Sequence, residues 1–152
     1  MTIKDLMERD VVTVTEDATL EEAVRLLEKS RNSGLPVVDS EGNLLGIVTE
    51  HDIIRMIVPS YEASMSEENS KLNMDFFLNA RADQVRSKPV SSVMTRNTIT
   101  LTEDDPVIKA TSTMLLKKIK VLPVVRVNKV VGMISRINVA SALLKASEFA
   151  SV

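Results

Sequence analysis

The chain has 152 residues, of which 44% are hydrophobic, 26% charged and 3% aromatic. That is one domain of ordinary size or two very small ones, in the proportions of a globular protein rather than a disordered one. With no cysteine and a single histidine, His51, disulfides, thiolate catalysis and a protein-built transition-metal site are excluded. No apolar run approaches the roughly 20 residues of a membrane span. Residues 1–15 carry acids rather than the basic start and apolar middle of a signal peptide, so a cytoplasmic location is expected. The net charge of −2 divides unevenly: residues 1–80 hold 7 basic against 16 acidic side chains, and residues 81–152 hold 12 against 5. An overall pI near 5.5 with few aromatics argues against a nucleic-acid partner. The basic half suits a small anion, or the acidic half of another copy.

Read in chain order, the elements occur twice. Met7-Glu8-Arg9-Asp10-Val11-Val12-Thr13-Val14-Thr15-Glu16-Asp17 returns as Met94-Thr95-Arg96-Asn97-Thr98-Ile99-Thr100-Leu101-Thr102-Glu103-Asp104, at an offset of 87. The β-branched stretch Val11–Val14 leads into Thr19-Leu20-Glu21-Glu22, which has capping-box spacing. Leu20, Ala23, Val24 and Leu27 then follow at i, i+3, i+4, i+7, one face of a helix. The second copy starts this helix at Asp105-Pro106, with proline expected at the first helical position, and continues with Val107, Ala110 and Met114. Leu35–Val38 and Leu44–Val48 read as strands joined by the polar turn Asp39–Asn43, and Val121–Val125 and Val130–Ile134 repeat them through Arg126–Lys129. A last helix starts near His51 and again near Ile137. Strand, helix, strand, strand, helix, twice over, is an α+β architecture with domains at 1–58 and 89–146 and a tail at 147–152.

Residues 59–88 belong to neither copy. Pro59 ends the preceding helix and Ser66–Ser70 is polar. Leu72, Phe76, Phe77 and Ala80 lie at helical spacing, which predicts a connecting helix whose apolar side packs on the pair. The alternative is a lid or partner-docking element.

The duplicated Leu-Pro-Val-Val (35–38 and 122–125), each time followed by a hairpin ending in Gly46-Ile47-Val48-Thr49-Glu50-His51-Asp52-Ile53 or Gly132-Met133-Ile134-Ser135-Arg136-Ile137-Asn138-Val139, resembles a tandem pair of cystathionine-β-synthase (CBS) domains, the Bateman module. The resemblance covers both repeats. It implies two pseudo-symmetric domains packed through their sheets, with clefts between them that take AMP, ADP, ATP or S-adenosylmethionine, Mg2+ accompanying ATP in some cases. It further implies ribose-binding roles for Asp52 and Asn138, and phosphate-binding roles for Thr49, Ser135 and Lys120. A carboxylate can accept both ribose hydroxyls in charge-assisted hydrogen bonds. Asn138 departs from the pattern, since its amide NH2 cannot accept from a hydroxyl, and asymmetry between the clefts is expected. Val12, Ile47, Ile99 and Met133 are the apolar candidates for an adenine slot. Thr49-x-x-Asp52 and Ser135-x-x-Asn138 also fit helix N-caps, and nothing local separates capping from binding.

No Walker loop, Gly-x-Gly-x-x-Gly, nucleophile elbow or Cys–His pair is present, and the four glycines (34, 42, 46 and 132) cannot build a glycine-rich phosphate cradle. A non-catalytic sensor of adenine nucleotides is therefore expected, as a homodimer acting on a separate target protein, by analogy with the family. The alternative is an assembly subunit with vestigial clefts that docks a partner through residues 59–88.

Overall fold

Three helices begin where a short polar side chain closes the first turn. In the computed structural model, which describes residues 1–58 and 71–150, the Thr19 hydroxyl accepts the Glu22 N–H at 3.1 Å and the Glu22 carboxylate accepts the Thr19 N–H at 3.2 Å. This pair opens α1 (Leu20–Ser30), which buries Leu20, Ala23 and Leu27. Thr49 opens α2 (Glu50–Ile57) in the same manner. A fourth helix departs from expectation. Pro106 lies outside α4 (Val107–Lys117), because its extended ψ of 149° makes it the N-cap rather than the first helical residue. The Asp105 carboxylate instead accepts the Thr102 N–H at 2.8 Å and pairs with Lys109 at 3.1 Å. α1 and α4 end alike, at Arg31 and Lys118, both in the left-handed region with φ of 58° and 56°. The equivalence of these two strained turns is a mark of duplication independent of the sequence match.

β1 (Val14–Thr15), β2 (Gly34–Val38) and β3 (Leu44–Thr49) form one sheet, β1 parallel and β3 antiparallel to β2. β4 (Val121–Arg126) and β5 (Lys129–Ser135) form the second sheet. There Leu101, bridged in parallel to Val124, stands where β1 stands in the first sheet. β1 pairs with β2 only from Val37 onward, so Pro36, which has no N–H to donate, sits ahead of that pairing. Both hairpins shift register at the same place, after Val37 and after Val124. The second turn is one residue shorter, with Val127 and Asn128 at φ 48° and 64°. The expected α+β architecture of two repeats is the observed one, and α5 (Arg136–Ala150) runs past residue 146.

The repeats exchange their leading segments. Residues 1–8 precede β1 in the chain but pack on the second repeat: the N–H of Ile3 reaches Asp105 O at 2.9 Å, and Glu8 and Met133 exchange both backbone hydrogen bonds at 2.9 Å. Ile3 and Met7 are buried with Leu101, Leu122, Val124 and Ile134. Reciprocally, the N–H of Val90 reaches Ala18 O at 2.8 Å, and Thr95 and Ile47 exchange both bonds at 2.9 Å. Val85, Val90 and Met94 complete the core of Val14, Leu20, Leu35, Val37 and Val48. Ile47, Val121 and Met133, with Val11 packed against them, join the two halves.

The connecting helix α3 (Lys71–Val85) packs through the side opposite to the one its phenylalanines predict. Phe76 is 77% and Phe77 48% exposed, and Ala80 is exposed as well. Leu78, Arg81 and Ala82 are half-buried, and Val85 is buried. The Arg81 guanidinium donates to Met56 O of α2 at 3.1 Å, which fixes that orientation. Pro59 and Ser66–Ser70 lie outside the described residues, as do the side chains of Leu72 and Phe149.

Two predictions follow from this packing. A Cβ at Gly46 would overlap the carbonyl oxygen of Thr95, whereas at Gly132 it would meet chiefly the flexible Met7 side chain, Sδ at 2.5 Å. Gly46→Ala should therefore lower the unfolding free energy in urea by about 2 kcal/mol or more, and Gly132→Ala by less. The second prediction concerns acid. Asp5, Asp39 and Asp105 are held below the usual carboxylate range, first by the backbone N–H groups of Thr2, Asn43 and Thr102 respectively. A depressed folded-state pKa means that the unfolded chain binds more protons, so this stability is present at neutral pH and is lost as pH falls below about 4. The melting temperature should fall across that range, and substituting all three by Asn should flatten the fall.

Candidate functional site

The loop between β3 and α2 presents Thr49 and Asp52. Asp52 Oδ2 accepts both the N–H (3.0 Å) and the hydroxyl (2.9 Å) of Thr49, while Thr49 Oγ1 accepts the Asp52 N–H at 3.2 Å. Capping thus uses one carboxylate oxygen. Oδ1 has no hydrogen-bond partner among the described residues, so capping and ligand binding are compatible at this side chain.

A cavity of about 630 Å3 opens at this point and is lined by both repeats, within the usual range for small-molecule sites. The first repeat contributes Ile47, Thr49, Glu50, His51 and Asp52. The second contributes Thr95, Asn97, Thr98 and Ile99 from its exchanged segment, and Lys118 to Leu122 from the left-handed turn that ends α4 and the strand after it. Buried Ile47 and Val121 and the 39%-exposed Ile99 supply an apolar wall to the cavity that Thr49 and Asp52 line. Lys118 and Lys120 bring positive charge. Lys120 Nζ lies 3.7 Å from Glu50, both side chains half exposed, so solvent weakens the pairing and the ammonium is available to an anion. An apolar wall, a free carboxylate oxygen and two cations can hold a flat apolar ring, a hydroxyl pair and an anionic group side by side.

Of the side chains singled out from sequence, the structure therefore gathers Thr49, Asp52, Lys120, Ile47 and Ile99 into one cavity. Ser135 and Asn138 occupy the equivalent place in the second repeat. Asn138 Oδ1 accepts the Ser135 N–H and hydroxyl, both at 2.8 Å, and so opens α5 as Asp52 opens α2. Ser135 and Lys120 border a wider groove of about 940 Å3 that also touches α1 and α2. Val12 and Met133 line neither cavity: Val12 packs on the first core and Met133 is 2% exposed at the junction of the repeats. Sequence reasoning missed Thr95, Asn97 and Thr98. Their signal was in the repeat match itself, but only the segment exchange carries them across to the other repeat's carboxylate.

Comparison with known proteins agrees with this architecture. The family model described as "CBS domain" matches residues 3–59 and again 90–145. A CBS domain-containing protein of Dictyostelium discoideum is 31% identical over 96% of this chain and 93% of its own length. Among solved structures, CBSX2 from Arabidopsis thaliana superposes with a TM-score of 0.77 over 97% of this chain and 96% of its own, at 24% identity. The CBS domain pair of protein MJ0100, in complex with 5-methylthioadenosine and S-adenosyl-L-methionine, does so with a TM-score of 0.71, 26% identity and coverage of 96% and 98%. With two matched copies spanning most of its length and the fold to go with them, the chain belongs to the CBS domain family as a tandem pair.

Proposed function

We propose that this protein is a non-catalytic regulatory module that binds an adenosine-containing nucleotide in the cavity between its repeats. The observation that carries the reading is Asp52, whose Oδ1 has no hydrogen-bond partner among the described residues, in one cavity with Ile47, Ile99, Lys118 and Lys120. Asp52 receives the ribose hydroxyls, Thr49 and Lys120 contact phosphate, and Ile47 and Ile99 flank the base. The adenosine ligands of the MJ0100 pair support the ligand class. Because the lining residues come from both repeats, a bound nucleotide favours one arrangement of the halves by its differential affinity. A separate target protein reads that arrangement.

Asn138 supplies the variant that separates capping from binding, since an amide in that position still accepts both Ser135 donors. Asp52→Asn keeps the helix cap and removes the second acceptor oxygen. In thermal unfolding with AMP, ADP, ATP with and without Mg2+, S-adenosylmethionine and GTP, a ligand at a hundred times its Kd should stabilise the wild type by about 2.7 kcal/mol, a rise of several degrees. Asp52→Asn should melt near the wild type alone and lose that rise. A wild type indifferent to every adenine compound would refute the reading.

The assembly reading has its own observation. Ile108, Leu115 and Leu116 of α4, with Ile137 and Leu144 of α5, are 66–81% exposed on two helices that pack together. Four of the five matching positions in the first repeat are Glu21, Glu28, Lys29 and His51. An apolar face confined to one repeat is best covered by its own copy about a twofold axis, so we take the homodimer to join second repeat to second repeat. This contact uses packing rather than the opposite charges of the two halves. Leu115→Glu should convert dimer to monomer in sedimentation velocity, whereas Phe76→Glu on α3 should not.

A further inference from the structure

The first and second repeats treat one position in opposite ways. Thr95 and Glu8 are equivalent by sequence offset and by backbone: each exchanges two hydrogen bonds with the central strand residue of the other repeat, Ile47 or Met133, all at 2.9 Å. Thr95 lines the first cavity. Glu8, longer and charged, extends toward Ser135 and Asn138, and its Oε1 accepts from Asn138 Nδ2 at 3.5 Å, across 130 residues of chain.

The amide cannot turn the other way. Its oxygen is committed to the N–H of Ser135, an obligate donor, so the NH2 must face Glu8. That NH2 stands where Asp52 has its free Oδ1. The second cleft therefore presents a donor already engaged by a carboxylate, where the first presents an open acceptor. Charge does not separate the clefts, since Arg31, Lys120 and Arg136 line the second groove with Glu8, Glu28 and Glu50. What separates them is the ribose position, where Glu8 and Asn138 hold each other and Asn138 offers no second acceptor oxygen.

We propose that Glu8, by engaging Asn138, closes the ribose position of the second cleft, so that each chain binds a single nucleotide, in the first cleft. The proposal rests on the nucleotide reading of that first cleft, and counting sites separates the two. Equilibrium dialysis against AMP, ADP and ATP in turn should give one site per wild-type chain and none in Asp52→Asn. Glu8→Thr combined with Asn138→Asp gives the second cleft the residues the first already carries at these positions, which keeps both the backbone pairing and the helix cap. The double variant should bind two nucleotides per chain, and adding Asp52→Asn to it should leave one. Two sites in the wild type, one surviving Asp52→Asn, would overturn the closure while leaving the nucleotide reading standing. A double variant that still binds one would remove Glu8 as the block. No binding in either protein would overturn the nucleotide reading, and the closure with it.

Discussion

The structure depends on four backbone hydrogen bonds, two between Glu8 and Met133 and two between Thr95 and Ile47. Each pair ties a segment that leads one repeat to the inner strand of the other. Close approach is their condition, and it accounts for glycine immediately before each strand residue: Gly46 admits the Thr95 carbonyl, and Gly132 admits Met7 and the Glu8 backbone. A side chain at either place would hold the segments apart, and Ile3, Met7, Val90 and Met94 would leave the cores they complete. The two small cores are consequently not independent. A repeat of fewer than sixty residues is marginal by itself, and here each borrows apolar side chains from its twin.

The same exchange makes the site composite. The carboxylate and cap that frame the cavity come from one repeat, the polar segment and lysines from the other, and the apolar residues from both. A rigid shift of one half against the other must change the distance from Asp52 to Lys120. Conversely, anything that bridges them fixes that distance. The site is therefore sensitive to the relation between halves in a way that a pocket within one repeat would not be.

Much of this was legible in the amino-acid sequence, for identifiable reasons. Thr19–Glu22 capping, the i, i+3, i+4, i+7 face from Leu20, and the two hairpins rest on local chemistry that a linear reading captures. So does the duplication, which exposed Thr49, Asp52 and their counterparts. The exchange left no such trace, because a hydrogen bond from Ile3 to Asp105 has no period and the 3-10 turns of the exchanged segments, Ile3–Asp5 and Val90–Ser92, have no strong propensity. Pro106 misled because a proline that fits the first turn also fits the residue before it. α3 misled because Phe76 and Phe77 outweigh the smaller Leu78, Ala82 and Val85 in any hydrophobic pattern, while the Arg81 contact with Met56 that sets its orientation is tertiary.

Exchange of the leading segments also sets an order of assembly during synthesis. The first core needs nothing beyond Met94 and can close once that residue has left the ribosome. The second core needs Ile3 and Met7, made before the first core, yet their partners Leu122 and Ile134 follow about a hundred residues later. That strip must therefore wait, unpaired and partly apolar, while the residues between are made. Closing it costs the entropy of a loop of about a hundred residues, a cost that grows only logarithmically with length, and the already folded first repeat shortens the free span. A segment made ahead of both cores is thus among the last to find its place.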